Sequence, residues 1–174
     1  MRQGGESVSA LIKILGGLYL NMELNFLHVT KKELFYTAVM LQLRQLVNVV
    51  YDFPADENKF DQELSEARNT LRKKKLLIES ARTGITLDTA LCTCAAFCAE
   101  PEACEVIDQN NYYATIYTAE NIHMLLERGS DDELKAAWFL NKDSLDKYIG
   151  SKININPESE SESEDKEAAD NGRA

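Results

Sequence analysis

The stretch Ala103–Leu140, ACEVIDQNNYYATIYTAENIHMLLERGSDDELKAAWFL, decides the fold. It reads as strands joined by tight turns. Ala103 to Gln109 is one strand, and Asn110-Asn111 is its turn. Asparagine tolerates the positive φ that both central positions of a two-residue hairpin turn need. Tyr112 to Thr118 is the second strand, with Tyr113, Thr115 and Tyr117 on one face. Asn121 to Arg128 is the third, with Ile122, Met124 and Leu126 together. Gly129-Ser130-Asp131-Asp132 turns the chain again, and Leu134, Ala136, Trp138 and Leu140 alternate as a fourth strand. Successive side chains of a strand point to opposite faces. One set of aromatic side chains therefore meets the core and the other meets solvent or a partner. Tyr112, Tyr113, Tyr117 and Trp138 are the candidate partner-binding residues, because tyrosine and tryptophan are enriched in binding hot spots. Core packing is the competing role for each.

Helix-forming sequence lies upstream. Thr30 followed by Glu33 is a capping box. Phe35, Val39, Leu43, Leu46, Val47 and Val50 follow at helical spacing, so a buried helix is predicted from Thr30 until Asp52-Phe53-Pro54 ends it. Glu23 to Val29 alternates enough for a short strand before it. A second helix, Lys59 to Lys74, carries the stripe Phe60, Leu64, Ala67 and Leu71. Leu76-Leu77-Ile78 and Ile85-Thr86-Leu87 flank Arg82-Thr83-Gly84 as a small hairpin or wing. A short helix within Thr86–Glu100 then buries Leu87, Ala90, Leu91, Cys94, Ala95 and Cys98, and Pro101 stops it. Downstream, Asn141 or Asp143 caps a closing helix, Ser144 to Ile149, with Leu145, Tyr148 and Ile149 as its apolar side. The expected fold class is α+β: helices with a winged-helix-like hairpin, then a small antiparallel sheet and a closing helix.

The chain has 174 residues and a formal net charge of −10. Residues 156–174 hold seven acids against Lys166 and Arg173, with no large apolar side chain. Ordering such a segment costs entropy with little burial in return, so it reads as a disordered acidic tail. Cutting the chain at Asn156 is expected to leave the melting temperature nearly unchanged; a large drop would mean that the tail is docked. Residues 1–21 form an N-terminal extension, apolar from Val8 to Leu20 but broken by Gly16-Gly17, or else reflect a misassigned start with Met22 as initiator. Residues 22–155 are then one domain. No run is long enough to span a membrane.

Cys92, Cys94, Cys98 and Cys104 crowd into one short stretch. Their spacing, C-x-C-x3-C-x5-C, is not the paired pattern of structural zinc sites. Free thiols in a reducing cytoplasm fit better than a disulfide framework, which uses spread positions. His28 and His123 stand apart from any nucleophile motif, and no glycine-rich phosphate loop is present. The sequence thus predicts a cytoplasmic protein with no cofactor, no metal site and no catalytic set. A basic cluster, Arg68, Arg72, Lys73, Lys74 and Lys75, sits at a helix C-terminus, where positive charge is favoured. With the hairpin after it, this gives the alternative of a winged-helix DNA-binding regulator. The acidic balance of the chain weighs against a nucleic-acid partner.

Three segments resemble the EspG-like chaperones of type VII (ESX) secretion, in particular compact Firmicutes-type relatives. They are FLHVTKKELFYTAVML (Phe26 to Leu41), LRKKKLLIESARTGITLDTAL (Leu71 to Leu91), and the hairpins followed by LNKDSLDKYI (Leu140 to Ile149). The resemblance covers about residues 23–150. The chain is roughly half the length expected of mycobacterial members, so the second half of that fold and its binding surface do not carry over. The resemblance implies a cytosolic adaptor that binds a helical secreted protein through apolar anchors with a polar rim, without cofactor or ATP.

Overall fold

Thr30 ends the first strand and opens the first helix. Its hydroxyl accepts from the Glu33 backbone N–H at 3.1 Å, and the Glu33 carboxylate accepts from the Thr30 backbone N–H at 2.8 Å. Two donors that the helix start would orphan are thereby satisfied reciprocally. The computed structural model describes residues 26–153 apart from 53 and 131. The expected extension 1–21 and acidic tail 156–174 lie outside the described residues.

The elements run β1 (Leu27–Thr30), α1 (Lys31–Met40), α2 (Glu57–Lys73), β2 (Leu77–Ser80), β3 (Gly84–Leu87), α3 (Thr89–Ala99), β4 (Ala103–Gln109), β5 (Tyr112–Ala119), β6 (Ile122–Arg128), β7 (Glu133–Phe139) and α4 (Lys142–Ile153). The class is α+β, with a five-stranded antiparallel sheet ordered β1-β7-β6-β5-β4 and a separate two-stranded hairpin, β2-β3. Asn110 and Asn111 both take positive φ, 49° and 61°, as their hairpin turn requires. Glu120 and Asn121 repeat this geometry between β5 and β6.

Two expectations change. Helices do not simply precede the sheet. β1 returns to it and pairs with β7, Leu27 opposite Ala136 and Val29 opposite Leu134. The first helix also does not run to residue 50. It ends at Met40, where the Leu43 N–H donates to Ala38 O at 2.9 Å and Gln42 N–H to Val39 O at 3.1 Å. That pair of bonds is a Schellman termination, with Gln42 in the left-handed region at φ 56°. Beyond it the chain is irregular. Leu46 and Val49 still reach the core, whereas Val50 is 68% exposed.

The sheet is covered on both faces. On the inner face, Val29, Ala136, Leu126, Met124 and Tyr117 pack with Leu34, Ala38, Leu91, Cys94 and Cys98 of α1 and α3. α2 packs outside α1, burying Ala67 and Leu71 from its predicted stripe. α3 is buried nearly all round, which its small residues Ala95, Ala96 and Ala99 allow. On the outer face, Leu145 and Ile149 of α4 pack with Ala114, Ile116, Leu125, Ala137 and Phe139. Each large apolar side chain so buried contributes about 1.5–3 kcal/mol.

Candidate partner-binding surface

The four aromatic candidates do not form one surface. Tyr117 sits under the helices with its side chain 0% exposed. Its hydroxyl donates to Val47 O at 2.7 Å. A docking role needs accessible area, and Tyr117 has none; it is a core residue that ties the segment after α1 to the sheet. The clip is reinforced on both sides. Val47 N donates to Cys98 O at 2.7 Å, and Asn48 Nδ2 donates to Cys104 Sγ at 3.1 Å. Trp138 shares that inner face and is half-buried against the same core. Tyr113, also on that face, is half-buried with the Arg128 guanidinium 4.3 Å from its ring centroid. Tyr112 points to the opposite face, where its hydroxyl donates to Glu127 at 2.8 Å.

Glu127 organises the outer face. Its side chain accepts from Tyr112, from Tyr148 at 3.1 and 3.2 Å, and pairs with Lys135 at 3.5 Å. Tyr148 adds ring contacts to Phe139 and Phe26, at 5.6 and 5.9 Å. Burial, then the hydrogen bond to Glu127, holds the Tyr112 phenol well above its ordinary pKa; burial and the Glu127 charge do the same for Tyr148. Both phenols therefore stay protonated donors, and α4 is fixed to β6 and β7 through one carboxylate.

This anchoring leaves the outer face at the exposed strand β4 open. A groove of about 360 Å³ runs between α4 and the β4–β5 strands. Ile107 of β4, Ile116 of β5, and Leu145, Ile149 and Ile153 of α4 form its apolar lining. Glu105, Gln109, Thr118, His123, Lys142 and Asp146 supply its polar groups. Thr118 Oγ1 and His123 Nδ1 share a hydrogen bond of 2.9 Å. β4 is the outer strand of the sheet, and every residue in it except Ile107 is exposed. None of these residues carries a local sequence signal for a binding site. Leu145 and Ile149 were visible as the apolar side of the closing helix. Nothing local says that they stand opposite Ile107.

Two of the cysteines, Cys94 and Cys98, serve core packing. Cys94 and Cys98 are buried, Cys92 is half-buried and Cys104 is exposed. Burial raises the Cys98 thiol well above its ordinary pKa, with the Cys94 thiol adding to it, and burial also raises Cys92 and Cys104. Neutral thiols are poor nucleophiles and poor ligands. Among the described residues no group of three or more His, Cys, Asp or Glu side chains is placed to hold a metal ion. Nor, among these residues, is any helix long and apolar enough to cross a membrane.

The basic cluster is largely paired within the fold. Arg68 meets Glu79 at 2.6 Å and Arg72 meets the same carboxylate at 3.9 Å. Lys74 Nζ lies 2.7 Å from the Glu33 carboxylate that also caps α1. The hydrogen bond from Arg68 lowers the Glu79 pKa below the ordinary carboxylate range.

No known protein-family model matches this chain, and no curated protein is significantly similar to it.

Proposed function

We propose that this protein is a non-enzymatic adaptor that holds a helical segment of a partner protein in the groove between α4 and β4–β5. The observation that carries the reading is the partly covered outer face. Five strands at roughly 4.8 Å spacing span about 19 Å. One helix with its side chains covers about 10 Å of that. α4 lies over β6 and β7 and reaches Ala114 and Ile116 of β5, so the outer face left uncovered is that of the exposed strand β4, where a further helix could lie alongside α4. Half-buried Ile107 and Ile153 offer it accessible apolar area beside buried Ile116, Leu145 and Ile149, within a polar rim, the layout of a recognition groove for an amphipathic helix. The EspG-like resemblance supplies the partner class: a helical secreted substrate of a type VII system, kept soluble by its chaperone.

The alternative, a winged-helix regulator, draws less support. A reading helix enters the DNA groove with its N-terminal part. That half of α2 carries Glu57, Asp61 and Glu63 against Lys59, and three of the five basic residues at its other end are ion-paired internally.

The test is co-expression with helical secreted proteins encoded beside this chain. A stoichiometric complex is expected with one of them, lost on Ile107→Asp in the exposed outer strand. Tight binding to a specific DNA duplex, with steep salt dependence and no effect of Ile107→Asp, would replace this reading with the regulator.

A further inference from the structure

The sheet has two edges, and they are built differently. β1 is four residues long, and Lys74 Nζ donates to its His28 carbonyl at 3.4 Å. A short edge strand and a charged side chain over it stop a sheet from growing. β4, at the other edge, is seven residues long and pairs with β5 alone. It contains no proline, glycine, lysine or positive φ. The direction of its main-chain groups follows from the turn beside it. Gln109 and Tyr112 flank the two-residue Asn110-Asn111 turn, so they form a hydrogen-bonded pair. Such pairs alternate along an antiparallel ladder, which turns the main chain of Ile107 and Glu105 to β5 as well. The N–H and C=O groups of Cys104, Val106 and Asp108 therefore point away from the sheet. Among the described residues no main-chain partner from outside the sheet meets them.

We infer that a second copy of this chain occupies the open edge, β4 against β4 about a two-fold axis at Val106, so that the two five-stranded sheets run on as one. Centred there, an antiparallel pair uses all the outward groups at once. Val106 exchanges both bonds with Val106 of the other copy, and Cys104 with Asp108 on either side. The opposed side chains are then compatible. Val106, 45% exposed in the free chain, meets its own counterpart across the axis. Glu105 meets Ile107 and Ala103 meets Gln109, so no carboxylate stands directly opposite another. Neighbouring registers are worse. A centre on Glu105 sets that carboxylate opposite itself, which is destabilising. A centre on Ile107 leaves Cys104 opposite the Asn110 turn. The pairing is independent of the groove, because Val106 and Ile107 point to opposite faces of the strand.

Sedimentation equilibrium of the full chain is the test. A one-strand interface lies at the small end of specific ones, so a monomer–dimer equilibrium with a Kd on the order of 10 μM is expected. Val106→Pro removes the outward N–H at the axis without touching a bond to β5, a setting in which a strand tolerates proline. It should weaken the dimer about tenfold, the loss of one hydrogen bond from each copy, with an unchanged circular dichroism spectrum. Val106→Lys, which opposes two like charges, should do the same and keeps the fold testable if proline does not. Cross-linking reads the register, in a Cys104→Ser background. Val106→Cys sets two Cα atoms about 5.5 Å apart, within disulfide range, so copper phenanthroline should trap a covalent dimer. Asp108→Cys, opposite position 104, should not be trapped. A chain that stays monomeric to millimolar concentration would overturn the inference. So would a dimer indifferent to both Val106 variants, or Asp108→Cys cross-linking as readily as Val106→Cys. Neither result decides the adaptor reading, since Val106 is not among the groove's lining residues.

Discussion

Tyr117→Ala lowers the stability of the folded protein by about 4 kcal/mol, the range of a large buried aromatic truncated in a core. The ring is 0% exposed, between Cys104 and Met124 on neighbouring strands and under the C-terminal part of α3. The loss has two parts, and Tyr117→Phe separates them. Phenylalanine keeps the ring and removes the donor to Val47 O, a bond of 2.7 Å. Leaving that carbonyl without its donor costs about 1 kcal/mol. The larger remainder belongs to the ring and the cavity it leaves. Tyr113→Ala, by contrast, removes a half-buried side chain beneath Arg128 and costs little. Urea denaturation followed by circular dichroism reads all three. Natural domains hold only about 5–15 kcal/mol in total, so Tyr117→Ala should move the midpoint far to the left. A midpoint matching the wild type would return Tyr117 to the surface as a docking residue.

The contrast between these tyrosines shows where the sequence becomes ambiguous. Strand alternation correctly groups Tyr113, Thr115 and Tyr117 on one face and separates them from Tyr112. It does not say which face is solvent. β5 reads YYATIYTA, with no polar–apolar alternation, because helices cover both faces of the sheet at this strand. Local chemistry is legible in the same way: the Thr30–Glu33 box and the Asn110-Asn111 turn sit where their residue types demand. The end of α1 is not, because the left-handed position that stops it is held by Gln42 rather than glycine. The apolar residues beyond it keep helical spacing by coincidence with their core contacts. Partners distant in sequence stay hidden as well. Nothing near β1 names β7, and nothing near Lys74 names Glu33. The groove is the extreme case, since Ile107, Ile116 and Leu145 meet only through the way α4 crosses the sheet.

That crossing depends on Glu127, and Glu127→Ala should loosen it. The carboxylate is 9% exposed and receives Tyr112, Tyr148 and Lys135. Alanine leaves two part-buried hydroxyls without their acceptor, at about 1–3 kcal/mol each for a group left unsatisfied. Lys135 stands partly in solvent and rehydrates, so it adds little. A net loss of about 3 kcal/mol follows, and it falls on one helix rather than on the whole fold. Hydrogen exchange is the discriminating measurement: amides of α4 should lose protection while those of β5 and β6, paired to each other, keep it. Glu127→Gln retains one acceptor oxygen and should lie between the two. The same tyrosines set an alkaline limit. Their folded pKa values lie above the ordinary 10.0, so the folded state holds protons that the unfolded state releases above that pH. Stability therefore falls as pH rises beyond about 10. Leu145 and Ile149 form one wall of the groove, so an α4 that no longer sits against β6 and β7 also loses its grip on a docked helix. Glu127→Ala should weaken partner binding although the carboxylate touches Tyr112, Tyr148 and Lys135 rather than the groove. Unchanged exchange in α4 together with unchanged binding would mean that the apolar contacts of Leu145 and Ile149 hold the helix by themselves.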